Sequence, residues 1–190
     1  MRTDQMPADF WGKLDLDEDG NVLCWHPKIH HDIDVASVFR ALIATPTIRE
    51  RLANAGGRAD LCPIDCDRLT WHAFNHDIGK LNAGFTARPF PASERPKTPT
   101  QGHVTEATAL LTPGPLGIAD IFVSAFDLGA ILNWTANEDE LVRLFLTSWS
   151  HHGRPVCMTV DGEGYEPRSK ACWQTWNYAN PADDLTRQAA

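Results

Sequence analysis

The stretch DCDRLTWHAFNHDIGK, residues 65–80, combines a helical pattern with a His-Asp pair. Leu69, Ala73 and Phe74 are spaced so that they lie on roughly one face of a helix. Gly79 is a typical residue to end such a helix. Similar patterns recur on both sides of this stretch, so the fold class is decided by helices that pack on one another.

Upstream of that stretch, a helix is predicted to begin near Asp34 and to stop before Pro46. The apolar stripe of this helix consists of Val35, Val38, Phe39 and Leu42. Downstream, a helix is predicted after Asn137, a typical N-cap that is followed by acidic residues in the first turn. Five or six helices without alternating strands predict an all-α helical bundle.

The acidic segment LDLDEDGNVLCW, residues 14–25, predicts a short N-terminal β-hairpin around Asp19-Gly20-Asn21. The same segment matches the first half of an EF-hand calcium loop. A bidentate glutamate is needed at the twelfth position of that loop, where this chain has His26. We therefore favour a plain acidic turn over a calcium site.

Composition sets limits on the class of protein. The 190 residues suit a single domain with a core, and the net charge of −8 argues against a broad basic face for duplex DNA. No apolar run approaches the ~20 residues that span a bilayer, and the N-terminus lacks a secretion signal, so a cytoplasmic location is expected. The five cysteines are scattered, which disfavours a four-cysteine zinc site.

The eight histidines are placed informatively, because several of them lie at the edges of predicted helices. Together with Asp77, the histidines at these edges are His31, His76, His103, His151 and His152. Six ligands are too many for one ion, but they suit two ions ~3.5–4 Å apart. A single histidine is more often structural, and His72 is expected in the core or behind the ligands.

The order of four motifs resembles the HD nuclease domain of the CRISPR-associated type I helicase-nuclease, within the HD superfamily of phosphohydrolases. WHPKIHHDIDVASV (residues 25–38) resembles the opening motif of that family, and FNHDIGKLNAGF (residues 74–85) resembles its central His-Asp motif. Gly102-His103 and HHGRP (residues 151–155) resemble the later motifs. Each His-Asp pair alone is a weak signal, whereas the ordered series from about Trp11 to Pro155 is specific.

The resemblance implies an HD-domain bundle with two divalent ions. Mn, Fe, Co or Ni suits the imidazole-rich ligands better than Mg. By the resemblance, the first ion is held by His31, His76 and Asp77, and Asp32 of the upstream pair is expected in solvent. The second ion is held by Asp77, His103, His151 and His152, so that Asp77 bridges the two.

Three cations receive roles next to these ligands. By the resemblance, Lys80 is expected to contact a phosphate near the metals, against the alternative of a solvated surface lysine. Arg88, in a proline-rich surface loop over residues 87–102, and Arg154 are expected to guide the substrate. A solvated loop without such a role is the alternative for the arginines.

This chain differs from the family pattern in two respects. The family has a further metal aspartate on a later helix, and Asp183 and Asp184 do not match its setting. The family also usually continues into a helicase. We therefore expect residues 1–190 to be one HD nuclease domain, truncated before that last aspartate and before the helicase.

The function predicted from these motifs is metal-dependent hydrolysis of phosphodiester bonds in single-stranded DNA during CRISPR interference, an antiviral defence. The expected partners are single-stranded DNA, the RNA-guided surveillance complex and a helicase domain or subunit, without any membrane. Two alternatives stay open: an HD-type nucleotide phosphohydrolase, which shares the His-Asp core, and an inactive metal-binding fragment.

Overall fold

The computed structural model describes residues 10–90, 100–114, 117–161, 164–167 and 171–176. These ranges are mostly helical and begin with a short antiparallel hairpin, so the predicted all-α HD bundle is confirmed. The strands are β1 (Trp11–Leu16), β2 (Val22–Pro27), β3 (Met158–Asp161) and β4 (Gly164–Pro167). The α-helices are α1 (Lys28–Ala44), α2 (Pro46–Ala55), α3 (Pro63–Phe74), α4 (Ala83–Thr86), α5 (Ile118–Ala125), α6 (Leu128–Leu132), α7 (Glu138–Trp149) and α8 (Ala171–Gln174). Two 3₁₀ helices cover Ile78–Leu81 and Glu106–Leu111.

The N-terminal hairpin pairs β1 with β2 and turns at an acidic tip. Asp17 holds this turn, because its carboxylate accepts hydrogen bonds from the backbone N–H groups of Asp19 and Asn21 and from the Asn21 side chain. Gly20 adopts a φ of 80°, which favours glycine. The tip is therefore an ordinary acidic turn. The second hairpin, β3 with β4, was not predicted from the sequence.

Helix α1 begins earlier than predicted, at Lys28 rather than near Asp34. The fixed φ of Pro27 suits the position before a helix, and the first turn then contains His31. The inward face carries Lys28, Asp32, Ala36 and Ile43. The prediction that Asp32 lies in solvent is wrong, because its carboxylate is buried in an ion pair with the Lys28 ammonium one turn away.

The apolar stripe predicted for α1 is not its buried face. Val38 and Leu42 are 60% and 47% exposed, while Val35 and Phe39 are half-buried. The buried face instead carries Ala36 and Ile43 together with the Lys28–Asp32 ion pair. Two charged residues are tolerated on this face because each is the partner of the other.

Helix α3 ends at Phe74, so the His-Asp pair lies in the turn that follows and not in the helix. The Asn75 side chain donates to the carbonyl of Trp71, and the chain then turns into the 3₁₀ helix Ile78–Leu81. The prediction that Gly79 ends the helix is therefore wrong by five residues. Gly79 has a different function, described below.

Helix α7 begins as predicted. The Asn137 side chain accepts a hydrogen bond from the backbone N–H of Glu140 at 3.0 Å, and the Glu140 carboxylate accepts one from Ala136 at 2.9 Å. The helix buries Leu141, Phe145 and Trp149, which are spaced by four residues. This anchored helix delivers His151 and His152 just beyond its last turn.

Two apolar clusters hold the elements together. The larger one is built around the buried rings of Phe122, Phe145 and Trp149, with the 3₁₀ helices and α5 to α8 packed around them. The smaller one joins Ile43 of α1 to Ala53 of α2 and the start of α3. Residues 91–99, most of the predicted proline-rich loop, lie outside the described residues. None of the helices in the described ranges has the length and apolarity that a membrane crossing requires.

Candidate metal centre

Six predicted ligands from four separate segments meet around the carboxylate of Asp77. His31 comes from the first turn of α1, His76 and Asp77 from the turn after α3, His103 from the segment before the second 3₁₀ helix, and His151 and His152 from the end of α7. Their nitrogen and oxygen atoms form two groups, each within 4.8 Å, that share Asp77. The structure thus brings together every residue predicted as a ligand, in the two groups that were predicted.

Oδ1 of Asp77 faces the second group. It lies 3.1 Å from Nε2 of His103 and 3.2 Å from Nε2 of His151, and Nε2 of His152 is 3.1 Å from that of His103. Oδ1 is buried, yet it has no aligned hydrogen bond among the described residues. Donor atoms ~2.1 Å from a common ion lie about 3 Å apart when they meet it at right angles. The spacing and the orphaned oxygen therefore both fit a metal ion.

Oδ2 of Asp77 faces the first group and has more polar contacts than Oδ1. Nε2 of His31 is 3.1 Å away in hydrogen-bond geometry, and Nε2 of His76 is 3.2 Å away. The ammonium of Lys80 lies 2.6 Å from the same oxygen. The first group therefore offers three ligands with a positive charge already beside them, whereas the second offers four.

Two histidines are held in the tautomer that metal binding requires. Nδ1 of His76 lies 2.8 Å from the carbonyl oxygen of Ala73, and Nδ1 of His151 lies 3.3 Å from that of Ser148. A carbonyl only accepts, so Nδ1 carries a proton, and in the neutral ring Nε2 then keeps its lone pair. Both rings therefore present a ligating nitrogen toward Asp77.

Burial and charge set the protonation of the centre. Burial raises the pKa of Asp77, but polar contacts with His103, His151 and His76 outweigh it and hold the pKa well below its usual range. Burial, together with the Lys80 charge, lowers the pKa of His31. Burial and its histidine neighbours lower the pKa of His152. A charged carboxylate among neutral imidazoles is the state in which these groups bind a metal.

Lys80 is buried next to the metal ligands. It is only 4% exposed, and its ammonium is held between Oδ2 of Asp77 and the carbonyl oxygen of Gly12, at 2.6 and 2.7 Å. It is therefore not a solvated surface lysine. It also lines a cavity together with His103 and His152.

Of the two arginines predicted to guide the substrate, only Arg88 lines the cavity beside the candidate metal centre. Arg88 lines the same cavity as Lys80, with its guanidinium 5.3 Å from the ring centre of Phe85. Arg154 lies exposed after the turn that ends α7. His72 lies in the core against Trp71 and Phe145, in line with its predicted structural role.

Three residues that position the ligands were not singled out from the sequence. A Cβ on Gly12 would lie 2.7 Å from Cβ of His31, and one on Gly79 would lie 1.8 Å from the carbonyl oxygen of His103. The buried Asn82 side chain donates to the carbonyls of both Gly79 and Gly102. The contacts of Gly79 and Asn82 join the central His-Asp motif to Gly102-His103, and the asparagine inside KLNAGF was the available signal.

Comparison with protein families gives one match. The sequence model of the family described as "Cas3, HD domain" matches residues 11–189. This chain belongs to that family. The match covers nearly the whole chain and continues past Pro155, the end of the resemblance that the motifs defined. Comparison with curated proteins and with solved structures gives no significant match.

Membership of this family indicates the general class of chemistry. The Cas3 HD domain is a metal-dependent HD phosphohydrolase of the nuclease kind that acts in a CRISPR context. HD domains bind divalent metals, and the imidazole and carboxylate cluster is the group of residues that could hold them here. Within the described residues, the first group contains no further carboxylate, and Asp183 and Asp184 lie outside those residues.

Proposed function

We propose that this domain hydrolyses phosphodiester bonds of single-stranded DNA in CRISPR interference, with two divalent transition-metal ions held at Asp77. The observation that carries this proposal is the division of the Asp77 carboxylate between two groups of imidazoles. Such ions, when bound, supply activation of a water and neutralisation of charge on the phosphate. The imidazole-rich donor set favours Mn, Fe, Co or Ni over Mg.

The residues of the chain supply positioning and charge. His31 and His76 hold one side of Asp77, while His103, His151 and His152 hold the other. Lys80, fixed between Asp77 and Gly12, keeps a positive charge at the edge of the cavity, where it attracts a phosphate. No side chain needs to act as a nucleophile in this arrangement, because a water oxygen attacks the phosphorus, the bond to the 3′ oxygen breaks, and that oxygen takes up the proton that the water releases.

A single strand is the substrate that suits this domain. The net charge of −8 leaves no surplus of cations to follow a duplex. The side chains of His103 and His151 are only 13% and 24% exposed, so a flexible strand reaches them more readily than a stiff duplex does. We further propose a cytoplasmic location, which the five free cysteines support, and recruitment by the RNA-guided surveillance complex with a helicase domain or subunit.

The test is cleavage of circular single-stranded DNA by the purified chain with Mn²⁺, Co²⁺ or Ni²⁺ and without ATP. We expect the wild type to linearise and degrade the circle and to leave duplex DNA intact. Asp77→Asn removes the shared ligand charge and should abolish cleavage, whereas the control Asp34→Asn changes an exposed carboxylate on α1 and should not.

Elemental analysis of the same samples makes the result decisive. A protein that carries two ions per chain and leaves the circle intact would contradict the proposed nuclease. Turnover of mononucleotides or cyclic nucleotides without any effect on DNA would instead identify a nucleotide phosphohydrolase. An empty or singly loaded protein without turnover would identify a binding module.

A further inference from the structure

One cavity of about 620 Å³ opens beside the metal centre. The ligands His103 and His152 form one wall together with Lys80. The N-terminal hairpin forms a second wall with Lys13, and the segment after α4 forms a third with Arg88 and Phe90. We call this space the hairpin cavity.

We propose that the hairpin cavity binds the stretch of single strand next to the phosphate at the metal centre. Lys13 and Arg88 contact the flanking phosphates, and Phe90 stacks on an unpaired base. This inference rests on the proposed function, because it assumes a nucleic-acid substrate, and it assigns the N-terminal hairpin a part in substrate binding.

The distribution of charge supports the cavity as the path of the strand. The chain has 17 cationic side chains against 25 acidic ones, and three of the cations, Lys13, Lys80 and Arg88, line this one cavity. Lys80 is committed to Asp77, whereas Lys13 extends from β1 as an exposed side chain. A cationic cavity beside the metal ligands concentrates a polyanion at the reacting centre.

The aromatic side chains support an unpaired base as the second contact. Trp11 and Phe85 stack on each other with ring centres 4.2 Å apart, and both are buried, so they form the base of the cavity. Phe90 is only half-buried and lies at the cavity wall. Cations combined with an accessible aromatic ring are the usual means by which proteins bind single strands without sequence preference.

The far end of the cavity indicates where the strand does not run. Gly20 and Asn21, at the acidic tip of the hairpin, line that end, and the carboxylate of Asp17 is hydrogen-bonded to Asn21 there. Acidic side chains repel phosphates, so the backbone of the strand is directed along the side of Lys13 and Arg88.

The experiment measures binding without cleavage. Fluorescein-labelled oligothymidylate is titrated with the metal-free chain in a chelator, and anisotropy gives Kd over a range of salt concentrations. The variants are Lys13→Gln, Arg88→Gln and Phe90→Ala. Matched controls are Arg51→Gln on α2 and Ile64→Ala on α3, both exposed and outside the cavity. Thermal melting confirms that each variant is folded.

Each glutamine variant should reduce the slope of log K against log salt by about 0.7, the value for one phosphate contact on a single strand. Phe90→Ala should weaken binding by about fivefold or more, and Phe90→Tyr should restore it because a ring is present again. In cleavage assays the same variants should raise KM with little change in kcat.

Two outcomes separate this inference from the proposed function. If the wild type cleaves DNA and the three variants match their controls in Kd and salt slope, the hairpin cavity is not the binding site. If the wild type does not cleave but its binding depends on Lys13 and Phe90, the nuclease proposal fails and the binding site is supported.

Discussion

At the scale of single residues, Asp77 has two oxygens in different surroundings. Oδ1 is buried beside His103 and His151 without an aligned hydrogen bond, whereas Oδ2 is shared by His31 and the Lys80 ammonium. A cation that binds at Oδ1 interacts with a carboxylate oxygen whose charge no hydrogen bond or ammonium of the described residues already offsets. A cation that binds at Oδ2 competes with a lysine that already neutralises part of the charge. The two metal positions are therefore unequal.

This inequality predicts two affinities. We expect titration with Mn²⁺ to show one tighter and one weaker site, because the second group has four ligands and no ammonium beside its oxygen. His31→Ala should remove only the weaker site, and His103→Ala should remove the tighter one. Isothermal titration calorimetry with elemental analysis measures both. Equal affinities, or loss of both ions in His31→Ala, would contradict the division.

A second residue-scale prediction concerns His72, which lies in the core rather than at the metals. Burial lowers its pKa from 6.5 to about 4, so the unfolded chain binds a proton before the folded chain does. Stability is then complete above pH 6.5 and falls as the pH drops toward 4. The loss is about 2 kcal/mol at pH ~5.

His72→Leu should abolish this part of the acid sensitivity. The measurement is urea unfolding of the metal-free wild type and of the variant near pH ~7 and ~5, compared as a difference of differences. The change in packing alters the free energy of unfolding equally at both pH values, so it cancels in this comparison. An unchanged pH dependence in His72→Leu would show that His72 does not titrate as its burial requires.

Single residues could be predicted where a residue type suited to metal binding also lay in the ordered series of motifs. The five histidines and Asp77 were identifiable because each lies in an ordered motif, and the structure brings all six together. Asp32 was mispredicted because its burial depends on a partner, Lys28, that comes inward only when the helix begins at residue 28. The burial of Lys80 depends on tertiary contacts in the same way, since Gly12 and Asp77 bind its ammonium.

At the scale of elements, β1 packs so closely against α1 that position 12 has no room for a side chain. A Cβ on Gly12 would lie 2.7 Å from Cβ of His31 and 3.2 Å from Cα of Lys28. The carbonyl of Gly12 also accepts the hydrogen bond from Lys80. The hairpin therefore holds both a ligand of the first group and the ammonium beside it.

Gly12→Ala should displace His31 and weaken the first metal position alone. We expect about a tenfold loss of affinity at the weaker site, a size typical of residues that orient ligands, and no change at the tighter site. The control is Gly56→Ala after α2, where a Cβ would lie 3.5 Å from its nearest neighbour. Calorimetric titration of both variants is the measurement, and a Gly12→Ala curve identical to that of Gly56→Ala would contradict the prediction.

The existence of the elements was easier to predict than their ends. Periodicity identified the region of α1, and the capping residue placed the start of α7 correctly. The end of α3 was misplaced because Asn75, not the later glycine, closes the helix. Gly79 is instead required by its close approach to the backbone of His103, a long-range contact that local sequence does not encode.

At the scale of the whole molecule, the centre connects segments that are distant in sequence. The ligands run from His31 to His152 in sequence, and specific hydrogen bonds join the segments that carry them. Ser148 Oγ donates to the carbonyl of His72, which links α7 to α3, and Asn82 links the turn after α3 to the segment of His103. The order of the motifs predicted which segments meet at the centre. The distances between their ligand atoms depend on these tertiary contacts and could not be predicted from the sequence.

A centre of this kind should stabilise the fold when it binds metal. An ion that binds the folded chain and not the unfolded one stabilises it by about 2.7 kcal/mol at a hundredfold excess over Kd, which raises Tm by roughly 5–10 °C for a chain of this size. We expect this rise with Mn²⁺ in the wild type and in Asp34→Asn, and no rise in Asp77→Asn.

Hydrogen exchange locates the same effect along the chain. Amide protection should increase together around residues 31, 76–80, 103 and 151–153, because the ions join these segments into one unit. His31→Ala should lose the gain around residue 31 and keep it around residues 103 and 151–153, since the second group is complete without it. Protection confined to one segment, or a rise in Tm that persists in Asp77→Asn, would place the metal elsewhere.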